Sequence, residues 1–160
     1  MIFVTVGSTQ IPFARLIRAL DRLPDDARLL VQHGPVPPPP GATEARDFME
    51  FPEVVERMQA ADVVICHAGA GSILCALRAG HTPVVVPRLE RFRETVDDHQ
   101  LELARALAAD GRVIALEDLT RLPEAVTAAP PPRPRTHSEA LLPIQVAVRD
   151  AIGAGAPSLA

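Results

Sequence analysis

The sequence contains no lysine, and all 16 of its basic residues are arginines. A phosphate loop of the Walker type is therefore excluded, because its lysine carries the charge to the β- and γ-phosphates. The all-arginine usage reads as a compositional bias. Cysteine is scarce: the two that occur, Cys66 and Cys75, fall in one central stretch. One sits in a predicted strand and the other in a predicted helix, and a disulfide needs a closer backbone approach than the turn between them offers. Metal binding needs more ligands than cluster here. There is no charged leader followed by an apolar run, and no segment long enough to span a bilayer. The expectation is a cytoplasmic protein, with a peripheral link to a membrane left open. A basic excess is missing too. The net charge of -4 gives no global field to attract nucleic acid or an anionic membrane.

What is present is ordinary for a soluble domain with a real core: 160 residues, 48% hydrophobic and 22% charged. The exception is proline, with 17 residues. The chain organises around Asp62 to Pro87. Asp62–Cys66 reads as a buried strand, His67–Ser72 as a small-residue turn, and Ile73–Ala79 as a helix ended by Gly80. Pro83–Val86 is the next strand. Upstream, Ile2–Val6 predicts an interior strand. Pro12–Arg22 is a helix with Phe13, Leu16, Ile17 and Leu20 at helical spacing, and Arg28–Gln32 is a second strand. Pro37–Pro40 marks a stiff, solvent-facing loop. Ala45–Phe51 holds a short strand, and a helix from about Pro52 to Ala60 turns Val54, Val55 and Met58 inward, with Met58 as core rather than ligand. Downstream, Arg88–Thr95 is a polar loop and Asp97 or Asp98 caps a helix that Gly111 ends. Val113–Leu116 is a strand and Leu119–Ala128 a helix. Residues 130–135 are too rich in proline and arginine for regular structure.

Strands that are apolar throughout, alternating with helices, predict an open parallel sheet covered on both faces: a Rossmann-like α/β domain. Such sheets bind ligands outside the carboxyl ends of their strands. The loops there are Gly7–Gln10, His67–Ser72 and Arg88–Gln100, and they concentrate glycine, hydroxyl, histidine and arginine. Gly69, Gly71 and Ser72 stand where a strand turns into a helix, so free amides and the helix's positive end could meet a phosphate. A plain structural helix start fits the same residues. The run GAGSIL departs from the dinucleotide fingerprint, since its third position is Leu74. His67 either donates to a phosphate or holds the loop. Asp98, His99 and Gln100 either hydrogen-bond sugar hydroxyls or cap a helix. Arg88, Arg91 and Arg93 either pair with an anionic ligand or with Glu90 and Glu94 at the surface.

Three pieces of sequence carry a resemblance: FVTVGSTQIPFARLI at 3–17, ADVVICHAGAGSILCALRAGHTPVVVPR at 61–88 and DDHQLELARAL at 97–107. In this order they resemble the C-terminal, nucleotide-sugar-binding half of family 28 glycosyltransferases, the MurG type. The likeness is nearer to its stand-alone versions. These are bacterial exopolysaccharide and capsule subunits, and the eukaryotic subunit that adds N-acetylglucosamine to a dolichol-linked sugar. The resemblance implies the C-terminal half of a GT-B fold, a UDP-sugar as substrate, inversion at the anomeric carbon and no obligatory metal or other cofactor. It implies that Gly7, Ser8 and Thr9, together with Gly69, Ala70, Gly71 and Ser72, embrace the donor diphosphate. Arg88 would belong to the loop closing over the donor. Asp98, His99 and Gln100 would hold the sugar hydroxyls, and His67 and Ser72 would serve the leaving phosphate. Cys75 occupies the position where better-known relatives carry a ribose-binding glutamate, and a thiol cannot accept two strong hydrogen bonds as a carboxylate can. Ribose recognition and donor choice are thereby open, and the arginines admit an anionic sugar such as glucuronate.

A GT-B enzyme closes its cleft with two domains, and this pattern supplies only the donor half. The resemblance thus implies a membrane-associated, acceptor-binding partner subunit that brings a polyprenyl-linked saccharide and the general base. It also implies a place at the inner face of the membrane through that partner, in polysaccharide biosynthesis. Residues 1–128 would form the donor domain, 129–137 a linker, and 138–160 a C-terminal helix and frayed tail, with 138–152 either docking the partner or closing the domain's own sheet. A non-catalytic nucleotide-sugar-binding or scaffold protein of the same fold is the alternative, with Cys75 as its mark. An epimerase of UDP-N-acetylglucosamine is disfavoured by length, because it needs both halves in one chain.

Overall fold

The computed structural model describes residues 1–133. Six strands form one sheet: β1 (Ile2–Thr5), β2 (Leu29–Gln32), β3 (Glu44–Arg46), β4 (Val63–His67), β5 (Val84–Val86) and β6 (Ile114–Ala115). Their order is β3-β2-β1-β4-β5-β6, and every pairing is parallel. Five α-helices connect or flank them: α1 (Ala14–Ala19), α2 (Phe51–Ala60), α3 (Ala70–Arg78), α4 (His99–Ala109) and α5 (Leu122–Ala128). The fold is the open, doubly covered parallel sheet that the uninterrupted apolar strands predict.

Alternation along each strand divides the core into two layers. In β1, Val4 faces one side with Leu16 and Ile17 of α1 and Leu122 and Ala125 of α5. Phe3 faces the other, with Met58 of α2, Ile73 and Ala76 of α3, and Leu103, Ala104 and Leu107 of α4. Both faces are dry, so neither can shed its side chains to solvent, and a register slip would exchange the two layers.

Several element ends differ from the sequence expectation. The first helix begins only at Ala14, after Pro12, and its last turn tightens to a 3-10 helix over Leu20–Arg22. The short strand expected within Ala45–Phe51 is Glu44–Arg46, at the start of that stretch and one residue ahead of it. The last strand has two residues, and the final helix starts as a 3-10 turn at Leu119–Arg121. The proline loop is exposed at Pro37, Pro38 and Pro40, while Pro39 turns inward and is buried. Most consequential is α3. It starts at Ala70, so Gly71 and Ser72 belong to its first turn rather than to a preceding loop.

After α5 the chain runs to Arg133, whose N–H donates to the carbonyl of Gly80 at 2.9 Å. The rest of the expected linker, and the C-terminal segment 138–160, lie outside the described residues. Among the described residues no helix is long and apolar enough to cross a membrane.

Met58 is fully buried in the layer formed with α3 and α4, as expected of a core residue. Truncation to alanine should therefore lower the unfolding free energy by about 2–5 kcal/mol. Denaturant titration of Met58→Ala measures this; a loss well under 1 kcal/mol would show that the helix is not held as described.

Candidate functional site

The sheet reverses direction at β1. From β1 the chain builds outward to β2 and β3, then returns to place β4 on the other side of β1. Helix α1 leaves β1 onto one face and α3 leaves β4 onto the other. The two loops therefore diverge, and a crevice opens between them at the carboxyl edge, the position at which open α/β sheets bind ligands. A cavity of about 390 Å³ occupies it, lined among others by Gly7, Ser8, His67, Gly69, Gly71, Ser72 and Cys75. A smaller recess of about 70 Å³ shares Gly7 and Ser8 and adds Thr9, Gln10 and Asp47.

His67 ends β4 and is packed between the two loops. A Cβ at Gly7 would come within 2.5 Å of its ring, and one at Gly69 would overlap ring Nε2. Gly7 also has a φ of +82°, in the left-handed region. Both glycines are thus required by the imidazole and the turn before any ligand is considered. Burial is the main reason the His67 pKa falls to about 4, the nearby Arg88 cation adds to the fall, and a hydrogen bond at Thr5 opposes it. The ring is neutral at pH 7. Its Nδ1 is buried and has no hydrogen-bond partner among the described residues.

Gly71 behaves differently. A Cβ there would meet nothing within 4 Å. No neighbour in the fold demands glycine at this place, and its absent side chain widens the crevice over the first turn of α3. That turn has no acidic residue, and Gly69 at the N-cap has no side chain to satisfy the free N–H groups. Gly69, Gly71 and Ser72 line the cavity at the start of this nine-residue helix, whose first-turn N–H groups carry its positive end. Ala70 begins this turn, and Ser72 adds a hydroxyl. Cys75 lines the cavity one turn further; burial raises its thiol pKa, with Arg78 opposing, so it stays a neutral thiol.

Sequence reasoning missed part of the wall. The Thr5 hydroxyl donates to Gln32 Oε1 at 2.5 Å and accepts from the Gly7 N–H at 3.1 Å, and both side chains line the cavity. Their signal was available: each is the last residue of a strand that is otherwise apolar. Phe48, Met49, Glu50, Phe51 and Val54 form the opposite lip. Phe48 and Phe51 are 49% and 66% exposed, unusual for phenylalanine in a packed domain and suited to a flat apolar ligand.

Four of the expected site residues lie elsewhere. Arg88 is 2% exposed and its guanidinium is engaged with backbone carbonyls, so its side chain does not face the crevice. Burial lowers its pKa to about 10, with Glu94 opposing, and it remains charged. Gln100 is buried, and its Oε1 accepts from the Arg88 N–H at 3.2 Å. Asp98 precedes α4 but makes no side-chain cap; it accepts from the Glu90 N–H at 2.9 Å. His99 is exposed and pairs with Asp97, which also accepts from the His99 N–H. None of these four lines the cavity. Among the described residues no three His, Cys, Asp or Glu side chains gather as metal ligands.

This arrangement defines an α/β domain with a glycine-lined crevice at the switch point of a Rossmann-like sheet. Residues 1–152 match the glycosyltransferase family 28 C-terminal domain, and the chain belongs to that family. Over 126 residues it is 38% identical to the UDP-N-acetylglucosamine transferase subunit ALG13 of Homo sapiens, a match covering 70% of this chain and 10% of that protein. The subunit of the same name from Cryptococcus neoformans is 53% identical over 62 residues, 36% of this chain and 29% of that one. The chain thus spans between a tenth and a third of these curated relatives. The crystal structure of the glycotransferase of kitacinnamycin superposes with a TM-score of 0.55 at 21% identity, over 96% of this chain and 39% of that chain, a likeness of fold.

The neutral His67 has a consequence for pH. Its folded pKa, near 4, lies below the ordinary 6.5, so the unfolded chain binds more protons between those values. Stability is complete above about pH 6.5 and falls as pH drops toward 4, with buried His81 shifted in the same direction. Imidazole proton resonances followed by NMR should show His67 titrating well below pH 6; a midpoint near 6.5 would contradict the buried placement.

Proposed function

We propose that this chain is the catalytic, donor-binding subunit of a two-component inverting glycosyltransferase. It would pass a sugar from a UDP-sugar to a polyprenyl-linked saccharide. The observation that carries the reading is the open first turn of α3 beneath a cavity of about 390 Å³ at the sheet's switch point. Family membership and the name of the curated relatives support it.

In this reading the diphosphate rests against the amides of Ala70, Gly71 and Ser72 and the loop of Gly7, Ser8 and Thr9. The exposed faces of Phe48 and Phe51 suit the base, and Thr5 and Gln32 close the floor. An acceptor hydroxyl attacks the anomeric carbon in line. The bond from that carbon to the phosphate oxygen breaks, and its electron pair leaves with UDP. Helix amides, the Ser72 hydroxyl and the neutral His67 imidazole are the donors that stabilise the departing charge, without calling on a metal. The acceptor proton goes to a base on the partner subunit, which also brings the chain to the membrane's inner face, in polysaccharide biosynthesis. Gln100 and Asp98 would serve the sugar only after the loop carrying Arg88 to Asp98 adjusts around it.

UDP-N-acetylglucosamine is the donor to test first, because the relatives carry that name. UDP-glucuronate loses ground, since Arg88 is already committed to carbonyls. Cys75 in the cavity wall favours one second reading, a non-catalytic nucleotide-sugar-binding or scaffold protein. Binding of the donor without turnover in the partner's presence would select it.

Calorimetry with UDP and both UDP-sugars, alone and with the partner, tests the proposal; absence of binding in every arm would remove the donor site. Gly71→Ala is the sharper probe. A methyl group there meets no heavy atom of the described residues within 4 Å, and alanine suits a helix better than glycine by about 0.5–1 kcal/mol. The variant should be as stable as the parent or more so, yet bind UDP at least tenfold more weakly. Unchanged affinity would mean that the diphosphate does not approach this turn.

A further inference from the structure

Arg88 is the largest fully buried side chain among the described residues. Its Nη2 donates to the Val6 carbonyl at 3.0 Å, and its Nη1 to Ile11 at 2.9 Å, to Glu94 at 3.3 Å and to Pro12 at 3.4 Å. The guanidinium carbon lies 4.5 Å from the centre of the Phe13 ring. Val6 and Ile11 bracket Gly7–Gln10, the loop that lines both cavities. A single planar cation therefore holds both ends of that loop. The other side of the clamp is equally tied. The Arg88 N–H is bonded to Gln100. The buried Glu94 carboxylate accepts from the Leu89 N–H, and from Arg15 Nε at 3.1 Å and Nη2 at 2.8 Å. Arg15 Nη2 also reaches the Pro87 carbonyl at 2.7 Å.

We propose that Arg88 is a positioning residue for the donor site: its fork fixes the Gly7–Gln10 loop against the loop that follows β5, and it supports nucleotide binding without touching the ligand. The inference deepens the UDP-sugar reading above and rests on it for the identity of the ligand. Two rival roles are separable from it. A direct phosphate ligand would need the guanidinium free, whereas both Nη atoms are occupied by carbonyls and Nε is buried away from any polar partner. A generic positive charge beneath the site would be kept by lysine. Lysine supplies that charge on one nitrogen and cannot bridge carbonyls from both ends of a loop in a fixed plane.

The test compares Arg88→Lys and Arg88→Met with the parent chain, using Met58→Ala as a control destabilised in the core away from the clamp. In the ligand-free protein, exchange of the Gly7 amide, which is bonded to Thr5, should rise at least tenfold in both Arg88 variants relative to amides of the sheet. UDP affinity should fall at least tenfold in both and stay within twofold in the control. Gly7 protection and UDP affinity both retained by Arg88→Lys would overturn the proposal. A parent chain that binds no UDP would end the donor reading instead, while Gly7 exchange still judges the clamp. If neither Arg88 variant folds, the Arg88 Nε resonance of the parent decides. A signal unmoved at saturating UDP supports positioning, and the downfield shift of a phosphate-bound guanidinium refutes it.

Discussion

The parallel pairing of β1 with β2 on one side and β4 on the other is the constraint from which the site follows. A chain that builds outward from a central strand and then returns past it must send its next helix to the opposite face. The loops at that strand's carboxyl end are pulled apart, and the gap cannot be filled by either. His67 ends β4 one residue beyond the last pair with β1 and opposite Val86 of β5. Its ring fills the seam between the two loops, and the loops accept it only because each carries glycine at the point of contact. Topology opens the crevice, and packing against one imidazole shapes it.

The charges around this crevice follow a consistent order. The helix start is free of acidic side chains, the imidazole is held neutral, and Arg88 is withdrawn beneath the loops among carbonyls. Buried cations are tolerated when their hydrogen bonds are made and a counter-charge is near. Arg88 has four carbonyl contacts and Glu94 close by, and Glu94 is in turn held by Arg15. Opposite Glu50 on the far lip, the two loops and the first turn of α3 offer the cavity backbone N–H groups and hydroxyls. Such groups keep their direction without the reorientation that solvent or long side chains would need.

Much of this was legible in the sequence, for local reasons. The β4–α3–β5 unit announces itself through an apolar run, a cluster of small residues and a terminating glycine, all within one stretch. Gly7, Gly69, Gly71 and His67 could be placed at one sheet edge because apolar strands alternating with helices predict a parallel sheet, whose strands all end on the same side. The start of α3 was misplaced because glycines signal a turn when read locally; Ile73 and Ala76, anchored in the core beneath, carry the helix back to Ala70. Arg88 read as a loop cation meeting either a ligand or a surface glutamate, because the carbonyls of Val6 and Ile11 that bury it belong to residues some 80 positions earlier. Thr5, Gln32 and Phe48 went unnoticed for the same reason. Thr5 and Gln32 are marked in sequence only as polar ends of apolar strands, and Phe48 lies in the loop between β3 and α2, whose place beside the crevice depends on the distant pairing of β3 with β2.

The contact between Arg133 and Gly80 settles where the described chain departs. Gly80 lies in the turn that precedes β5, on the amino edge of the sheet. Met1, paired there with Asp62 just before β4, sits on that edge as well. Both ends of the described chain therefore leave from the side opposite the crevice. A label attached at Met1 or at Arg133 would start on the side of the sheet away from the crevice.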